Sequence, residues 1–359
     1  MIPDSVFRST LDELFQPIMR FMEDDSVSEI VINGPSSVFI EQRGRMLRTA
    51  SRFDSDAALV SALRVLAQYV GRPFDLEHPI LEGRMPDGSR VEAVLAPLAK
   101  GGAHVAIRRF QKDKLSVEQL VSSGSVDQPT VALLRSLVEN KKNVLVAGGT
   151  GTGKTSLLNV LTGFIPEHER VVVLEDAREL MPRSAHVVQL ESRPADERGK
   201  GAVSVRALFK ATLRLRPDRI VVGEIRDGTA LDLIQAMTSG HGGCLSTLHA
   251  SHPRDALMRL ETMALMADVE LPLRALRSQI ASAVDVVVQI GRVRSGARLL
   301  THVSRVGELD EQGRYVLHEM VVRRGVTDQS PGRLEISSRA SAYASSDTHF
   351  SEEGPRDPA

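Results

Sequence analysis

The 359-residue chain has no tryptophan, a single cysteine (Cys244), and an aromatic content of only 4%. One thiol rules out a disulfide framework and a cysteine-paired zinc site, and it points to a reducing cytosol. So few aromatics argue against base-stacking platforms for single-stranded nucleic acid. A net charge of -1 supplies no global field to draw the chain to nucleic acid or anionic lipid. No apolar run approaches the roughly 20 residues of a membrane span, and the N-terminus lacks a signal-peptide core. Any membrane association is therefore expected to run through partners. The remainder, 42% hydrophobic and 25% charged, suits a soluble globular protein long enough for two or three domains.

The stretch around which the chain is organised is Gly148-Gly149-Thr150-Gly151-Thr152-Gly153-Lys154-Thr155. It fits G-x-x-x-x-G-K-[ST], the phosphate-binding loop. Asn143-Val144-Leu145-Val146-Ala147 before it reads as a short buried strand, and Ser156-Leu157-Leu158-Asn159-Val160-Leu161 after it as a helix. Glycines let backbone N–H groups curl around an anion, and the helix N-terminus adds its positive dipole. In this pattern Lys154 faces the β- and γ-phosphates, and Thr155 offers its hydroxyl to Mg2+. Residues 148–156, including Ser156, are the nucleotide-binding candidates.

Residues 1–110 read as an α+β domain with a mostly antiparallel sheet. Helical spacing of Phe7, Leu11, Leu14, Ile18 and Phe21 predicts a helix over 5–23, bent at Pro17. Strand candidates follow at 29–32, 38–41, 46–47, 80–84, 90–95 and 104–110, with a helix over 56–70. Residues 111–128 read as a polar linker with one short helix. From 129 to 325 the chain alternates helices with wholly apolar strands, at 143–147, 170–175, 186–190, 219–224, 243–248 and 285–290. Such strands are covered on both faces, as in a doubly wound α/β core. Residues 326–359, rich in Ser, Gly and Pro, are expected to be disordered.

Hydrolysis needs metal ligands and a group that orients water. Glu175-Asp176 ends one apolar strand and Glu224 another, so both fall on the edge where ligands bind in open α/β sheets. The bland alternative is that they merely terminate strands. His241 and His249 bracket a glycine turn and a strand, with His249 at the strand's C-terminal end. They read either as structural histidines or as groups that sense phosphate and relay motion; the spacing suits no standard zinc site. Arg193, Arg198, Lys200, Arg206, Lys210, Arg214 and Arg216 crowd the segment before Glu224. At 204–216, Val205, Leu208, Phe209, Thr212 and Leu213 form an apolar helical stripe, which leaves the basic residues on a face open to solvent or to a neighbouring subunit.

Four ordered stretches resemble the secretion and pilus traffic ATPases. They are the loop at 148–155, Val173-Leu174-Glu175-Asp176-Ala177-Arg178-Glu179-Leu180, the run from Leu213 through Gly223-Glu224-Ile225-Arg226, and the two-histidine stretch. In order they match that family's Walker A, Asp box, Walker B and His box. Glu191-Ser192-Arg193-Pro194 and Thr247-Leu248-His249-Ala250-Ser251 are similar to the CpaF/TadA branch of tight-adherence pilus ATPases. The chain starts almost at the ATPase body, as conjugation and type IV secretion ATPases do, and that branch is the alternative. The resemblance covers about residues 25–322. It implies a RecA-like P-loop ATPase core, ATP and Mg2+ as cofactors, and a cytoplasmic homo-hexamer acting on inner-membrane platform proteins of a pilus or secretion machine. It further implies that Glu224 activates water, that Glu175 assists Mg2+, and that Arg90 and Arg108 contact phosphate from the N-terminal domain.

Two other readings compete. A guanine-nucleotide switch calls for Asn-Lys-x-Asp after the loop, whereas Asn140-Lys141-Lys142-Asn143 precedes it and ends in Asn. A RecA-like DNA helicase calls for a basic, aromatic channel, against which the near-neutral charge and scarce aromatics speak.

Overall fold

The computed structural model describes residues 4–345 apart from 43, 111–114, 183, 194, 196–198, 268, 294–295 and 328–329. The chain divides into two compact units, Met1–Asp113 with Ala195–Lys200, and Lys114–Pro194 with Gly201–Ala359.

The first unit opens with α1 (Asp4–Leu14) and α2 (Gln16–Met22), separated at Phe15 with Pro17 in the first turn of α2. A proline there forgoes only an N–H that a helix start leaves unpaired. The strands β1 (Val27–Asn33), β2 (Val38–Gln42) and β3 (Arg45–Arg48) form a meander. Next comes α3 (Asp56–Val70), whose N-cap Ser55 side chain accepts from Ala58 N. Its stripe of Leu59, Leu63 and Leu66 is buried. Three more strands follow, β4 (Ile80–Arg84), β5 (Arg90–Val94) and β6 (His104–Arg108), and the sheet order is β3-β2-β1-β6-β5-β4, antiparallel throughout. Ile30, Val91 and Ile107 join the core with Leu11, Phe15 and Ile18.

In the second unit, α4 (Val117–Ser122) starts in a capping box of Ser116 and Gln119, and α5 (Gln128–Glu139) is capped by Asp127. Leu120 and Val126 are buried in the same core as α5. The described part of the expected linker thus contains one short helix, α4, and packs against this unit. Thereafter come β7 (Val144–Gly148), α6 (Lys154–Thr162), β8 (Val171–Glu175), β9 (Val187–Glu191), α7 (Val205–Thr212), β10 (Arg219–Val222), α8 (Thr229–Thr238), β11 (Leu245–His249), α9 (Pro253–Ala264), α10 (Leu273–Ala283) and β12 (Val286–Arg292). Six strands run parallel in the order β12-β7-β11-β10-β8-β9. Val144 and Val146 pack with α5 and α6, whereas Leu145 and Ala147 pack with α8, α9 and α10. The sheet is therefore covered on both faces, the RecA-like α/β arrangement.

The sheet then continues antiparallel through β13 (Arg298–Leu309), β14 (Tyr315–Arg324) and β15 (Arg333–Ile336), followed by α11 (Ala340–Ala344). This corrects the expectation of disorder from residue 326. Leu334, Ala340 and Ala344 are buried in the core, and Tyr343 Oη donates to Asp285 Oδ1 at 3.1 Å. Small residues and an edge-strand hydrogen-bond ladder supply the order that low hydrophobicity hides. Residues 346–359 lie outside the described residues.

Candidate functional site

Four parallel strands bring the site together at their C-terminal ends. β7 runs into the loop at Gly148, where an added Cβ would stand 2.6 Å from both Ile290 O and Thr152 Oγ1. Gly153, at φ +93°, precedes Lys154 as the N-cap of α6, a backbone state that costs glycine nothing. The loop is closed by Thr152 Oγ1 donating to Gly149 O at 2.9 Å. Lys154, second to last in the motif, is buried at 8% exposure. Its ammonium donates to Gly149 O at 2.9 Å and lies 3.3 Å from His249 Nδ1. Thr155 and Ser156 occupy the first turn of α6.

β11 is inserted between β7 and β10, and His249 is directly opposite Gly148 in the β11–β7 pairing. Glu224 follows β10 by two residues. Its approach is fixed by Thr247 Oγ1 donating to Gly223 O at 2.6 Å and by Ile225 N donating to Thr247 O at 2.9 Å. The result is a continuous line in which His249 Nε2 meets Glu224 Oε1 at 2.8 Å. An ammonium only donates, so His249 Nδ1 facing Lys154 carries the lone pair, and the ring proton belongs on Nε2, towards Glu224. Burial, and then the Lys154 charge, hold the His249 pKa below the usual histidine value, which keeps the ring in this neutral form.

Glu224 Oε2 accepts from Arg226 at 2.5 Å, and Arg226 also lies 3.5 Å from Asp176 Oδ2. Glu175, the last residue of β8, turns inward. Its Oε1 accepts from the backbone N–H groups of Glu179 and Leu180, both at 2.9 Å. Burial pushes its pKa up to about 7, against the pull of those two hydrogen bonds. Glu175 thus anchors the loop that follows β8 in addition to standing on the phosphate-loop edge of the sheet.

The structure separates the two histidines. His241 lies before β11 begins, at the edge of the sheet opposite the phosphate loop, where its carbonyl accepts from Cys244 Sγ at 3.0 Å. The five-residue strand carries the chain from one edge to the other, so His241 does not join the site. The basic segment is similarly divided. Arg206 is paired with Asp232 at 2.6 Å and Arg193 donates to Gly201 O at 2.7 Å, whereas Lys210, Arg214 and Arg216 are exposed; Arg198 lies outside the described residues. As expected, α7 buries Val205, Phe209 and Thr212.

Arg90 and Arg108 belong to the first unit. They are directly opposite each other on β5 and β6, and the row across the sheet reads Arg84, Arg90, Arg108, Glu29, Glu41. The pairing register therefore gathers three arginines on one sheet face. Sequence reasoning missed Arg84, and it also missed Arg292 and Arg298. These two pair across β12 and β13, with Arg292 3.6 Å and Arg298 3.3 Å from the positions where Cβ atoms on Gly151 and Gly153 would stand. Their only sequence signal is two arginines flanking a Ser-Gly turn after the last apolar strand. Among the described residues no cluster of three or more His, Cys, Asp or Glu could hold a metal ion, and no helix is long and apolar enough to cross a membrane.

Residues 12–345 match the family model described as type II/IV secretion system protein. A putative conjugal transfer protein of Mycobacterium tuberculosis is 34% identical over 327 residues, 89% of this chain and 92% of that protein. The type IV secretion system protein PtlH of Bordetella pertussis is 33% identical over 322 residues, 81% of this chain and 93% of that protein. The structure of the Legionella pneumophila ATPase DotB superposes with a TM-score of 0.57 at 18% identity, covering 82% of this chain and 79% of that one; it speaks to the fold alone.

Proposed function

Since the chain belongs to the type II/IV secretion system protein family, we propose that it hydrolyses ATP to drive a conjugation or type IV secretion machine. The observation that carries the reading is the line Lys154–His249–Glu224, placed where the phosphate loop meets the C-terminal ends of β7, β11 and β10. The loop fits a nucleotide polyphosphate: Gly148 leaves no room for a side chain, and Gly153 hands the chain to the N-terminus of α6. Mg2+, when bound with ATP, would neutralise charge building up on the phosphates. Thr155 would offer the hydroxyl for it, and Glu175 an acid within the same edge. Lys154 binds the β- and γ-phosphates. Glu224 orients the attacking water and takes its proton, with His249 packed beside its buried carboxylate oxygen. We propose Arg90 and Arg108 as further phosphate-contacting residues, in a cytoplasmic homo-hexamer working on membrane-embedded partners.

The names of the two relatives, conjugal transfer and type IV secretion, favour this cargo class over a tight-adherence pilus. The pilus reading retains the support of Glu191-Ser192-Arg193 and of the stretch around His249. Steady-state ATPase assays test the activity. Lys154→Ala is expected to abolish turnover, and Glu224→Gln to keep ATP binding while stopping hydrolysis. Normal turnover by Lys154→Ala refutes the site. Deleting the gene in its host separates the cargo readings: loss of DNA or protein transfer supports the first, and loss of pili alone supports the second.

A further inference from the structure

Glu224 Oε1 is buried without a hydrogen-bond partner, 2.8 Å from His249 Nε2, and Oε2 accepts from Arg226 Nη2 at 2.5 Å. A carboxylate takes a proton from water through a lone pair that nothing else occupies. A charge-assisted bond to a guanidinium is among the strongest contacts a side chain makes. So burial shuts one oxygen of the group that should activate water, and a cation holds the other.

The same guanidinium has a second seat. Arg226 Nη1 lies 3.5 Å from Asp176 Oδ2. Asp176 follows the last residue of β8, the strand beside β10, so the two acids flank one arginine on the phosphate-loop edge. Asp176 is tethered, since Ser192 Oγ donates to its backbone O at 3.2 Å and its Oδ1 at 3.4 Å. The Arg226 side chain is 55% exposed and can turn between the acids without disturbing packed neighbours. One acid is gripped closely and the other loosely, the geometry of a two-position element biased towards one side.

We propose that Arg226 is a latch on the water-activating carboxylate. In the arrangement seen here it occupies Glu224 Oε2. Moving the guanidinium fully onto Asp176 frees that oxygen, which then accepts the proton of the water attacking the γ-phosphorus as ADP departs with the bridging oxygen's electron pair. The inference rests on the ATPase reading above. It assigns Arg226 and Asp176 opposite effects: Arg226 restrains turnover, and Asp176 promotes it by drawing the restraint away.

The test is steady-state ATP hydrolysis with Mg2+ by the full chain, comparing wild type, Arg226→Gln and Asp176→Asn. Arg226→Gln is expected to raise kcat by about three- to tenfold, between the worth of an exposed ion pair and that of a charged hydrogen bond. KM for ATP should stay within about twofold, because the latch touches the base and not the nucleotide. Asp176→Asn is expected to lower kcat by a similar factor. A purely structural salt bridge lowers both, so a fall or no change in Arg226→Gln overturns the latch, as does an unchanged Asp176→Asn. Should Arg226→Gln fail to fold, Arg226→Met, which keeps the length of the side chain without its charge, takes its place under the same criterion of a raised kcat. Failure of the ATPase reading looks different: wild type and Lys154→Ala would then turn over ATP equally.

Discussion

Lys154 Nζ stands 3.3 Å from His249 Nδ1, and this contact ties the phosphate loop to the acid that follows β10. A phosphate entering the loop competes with His249 for the lysine. The histidine's other nitrogen lies 2.8 Å from Glu224 Oε1. His249→Ala is expected to reduce kcat by about ten- to a hundredfold, less than the roughly 10²–10⁴-fold that a general base itself supplies, while ATP affinity changes little. Nucleotide titration beside steady-state kinetics checks this; an equal loss of affinity would assign His249 to the loop alone. Because its pKa is lowered, chiefly by burial, the ring charges only as pH falls below the usual histidine range. Turnover should then drop, since a second cation faces Lys154, and this acid limb should disappear in His249→Asn.

Glu175 provides a stability measurement. Burial raises its folded-state pKa from 4.5 to about 7. The folded chain thus holds this proton more tightly than the unfolded chain does between those values. Its contribution is fully present below pH 4.5 and lost as pH rises to 7, a change on the order of 3 kcal/mol. Glu175→Gln keeps an oxygen for the Glu179 and Leu180 amides and cannot titrate. Denaturant titrations at pH 5 and pH 8 should show the variant gaining on wild type at the higher pH. A pH-independent difference would refute the burial account.

The opposite edge of the same sheet carries a buried ion cluster. Arg219, 1% exposed, meets Glu169 Oε2 at 2.5 Å, and Lys141 meets Glu169 Oε1 at 3.1 Å. Among the described residues neither Nη of Arg219 has a hydrogen-bond partner, and Glu169 is the acid paired with this charge. Glu169→Ala is expected to cost about 3–5 kcal/mol, as when one half of a buried pair is removed. Lys141→Ala, with 42% of its side chain exposed, should cost under about 1 kcal/mol. Urea titrations followed by far-ultraviolet circular dichroism read both; comparable losses would contradict the assignment.

The parts of this site that the sequence made legible are those written locally. Gly148 to Thr155 carries its own turn chemistry, and apolar runs ending in Glu175 and near Glu224 mark strand ends. Strand order is not local. Only the insertion of β11 between β7 and β10 puts His249 between Lys154 and Glu224, while the same strand's direction takes His241 to the other edge. Arg292 and Arg298 reach the loop through β12 and β13, across 140 positions of chain from the motif (292 less 152). Arg226 lay inside a recognised motif, but its role depends on Asp176, which only the β8–β10 pairing brings near. The tail was misjudged because β15 is stabilised by backbone pairing and small side chains, which composition does not count.

The arginines of the first unit call for a folding reference. Arg90 and Arg108 face each other on adjacent strands, with Glu29 beside Arg108 in the same row. Like charges directly opposite cost stability, and a row of guanidiniums forms a bidentate surface for phosphate. Arg90→Ala and Arg108→Ala are therefore expected to lower ATP turnover by about one to several powers of ten, with a smaller effect on ADP binding. Alternation along β6 makes Arg109 look like a neutral neighbour on the other face. The structure instead buries it: its side chain is 8% exposed, hydrogen-bonds the carbonyls of Asp24 and Val27, and pairs with Asp25 at 3.7 Å. Arg109→Ala should thus cost the first unit about 1–3 kcal/mol and serves as the folding reference. If Arg90→Ala and Arg108→Ala melt like Arg109→Ala and lose ATP and ADP binding equally, the row is structural. If they melt like wild type and lose turnover, the phosphate role stands.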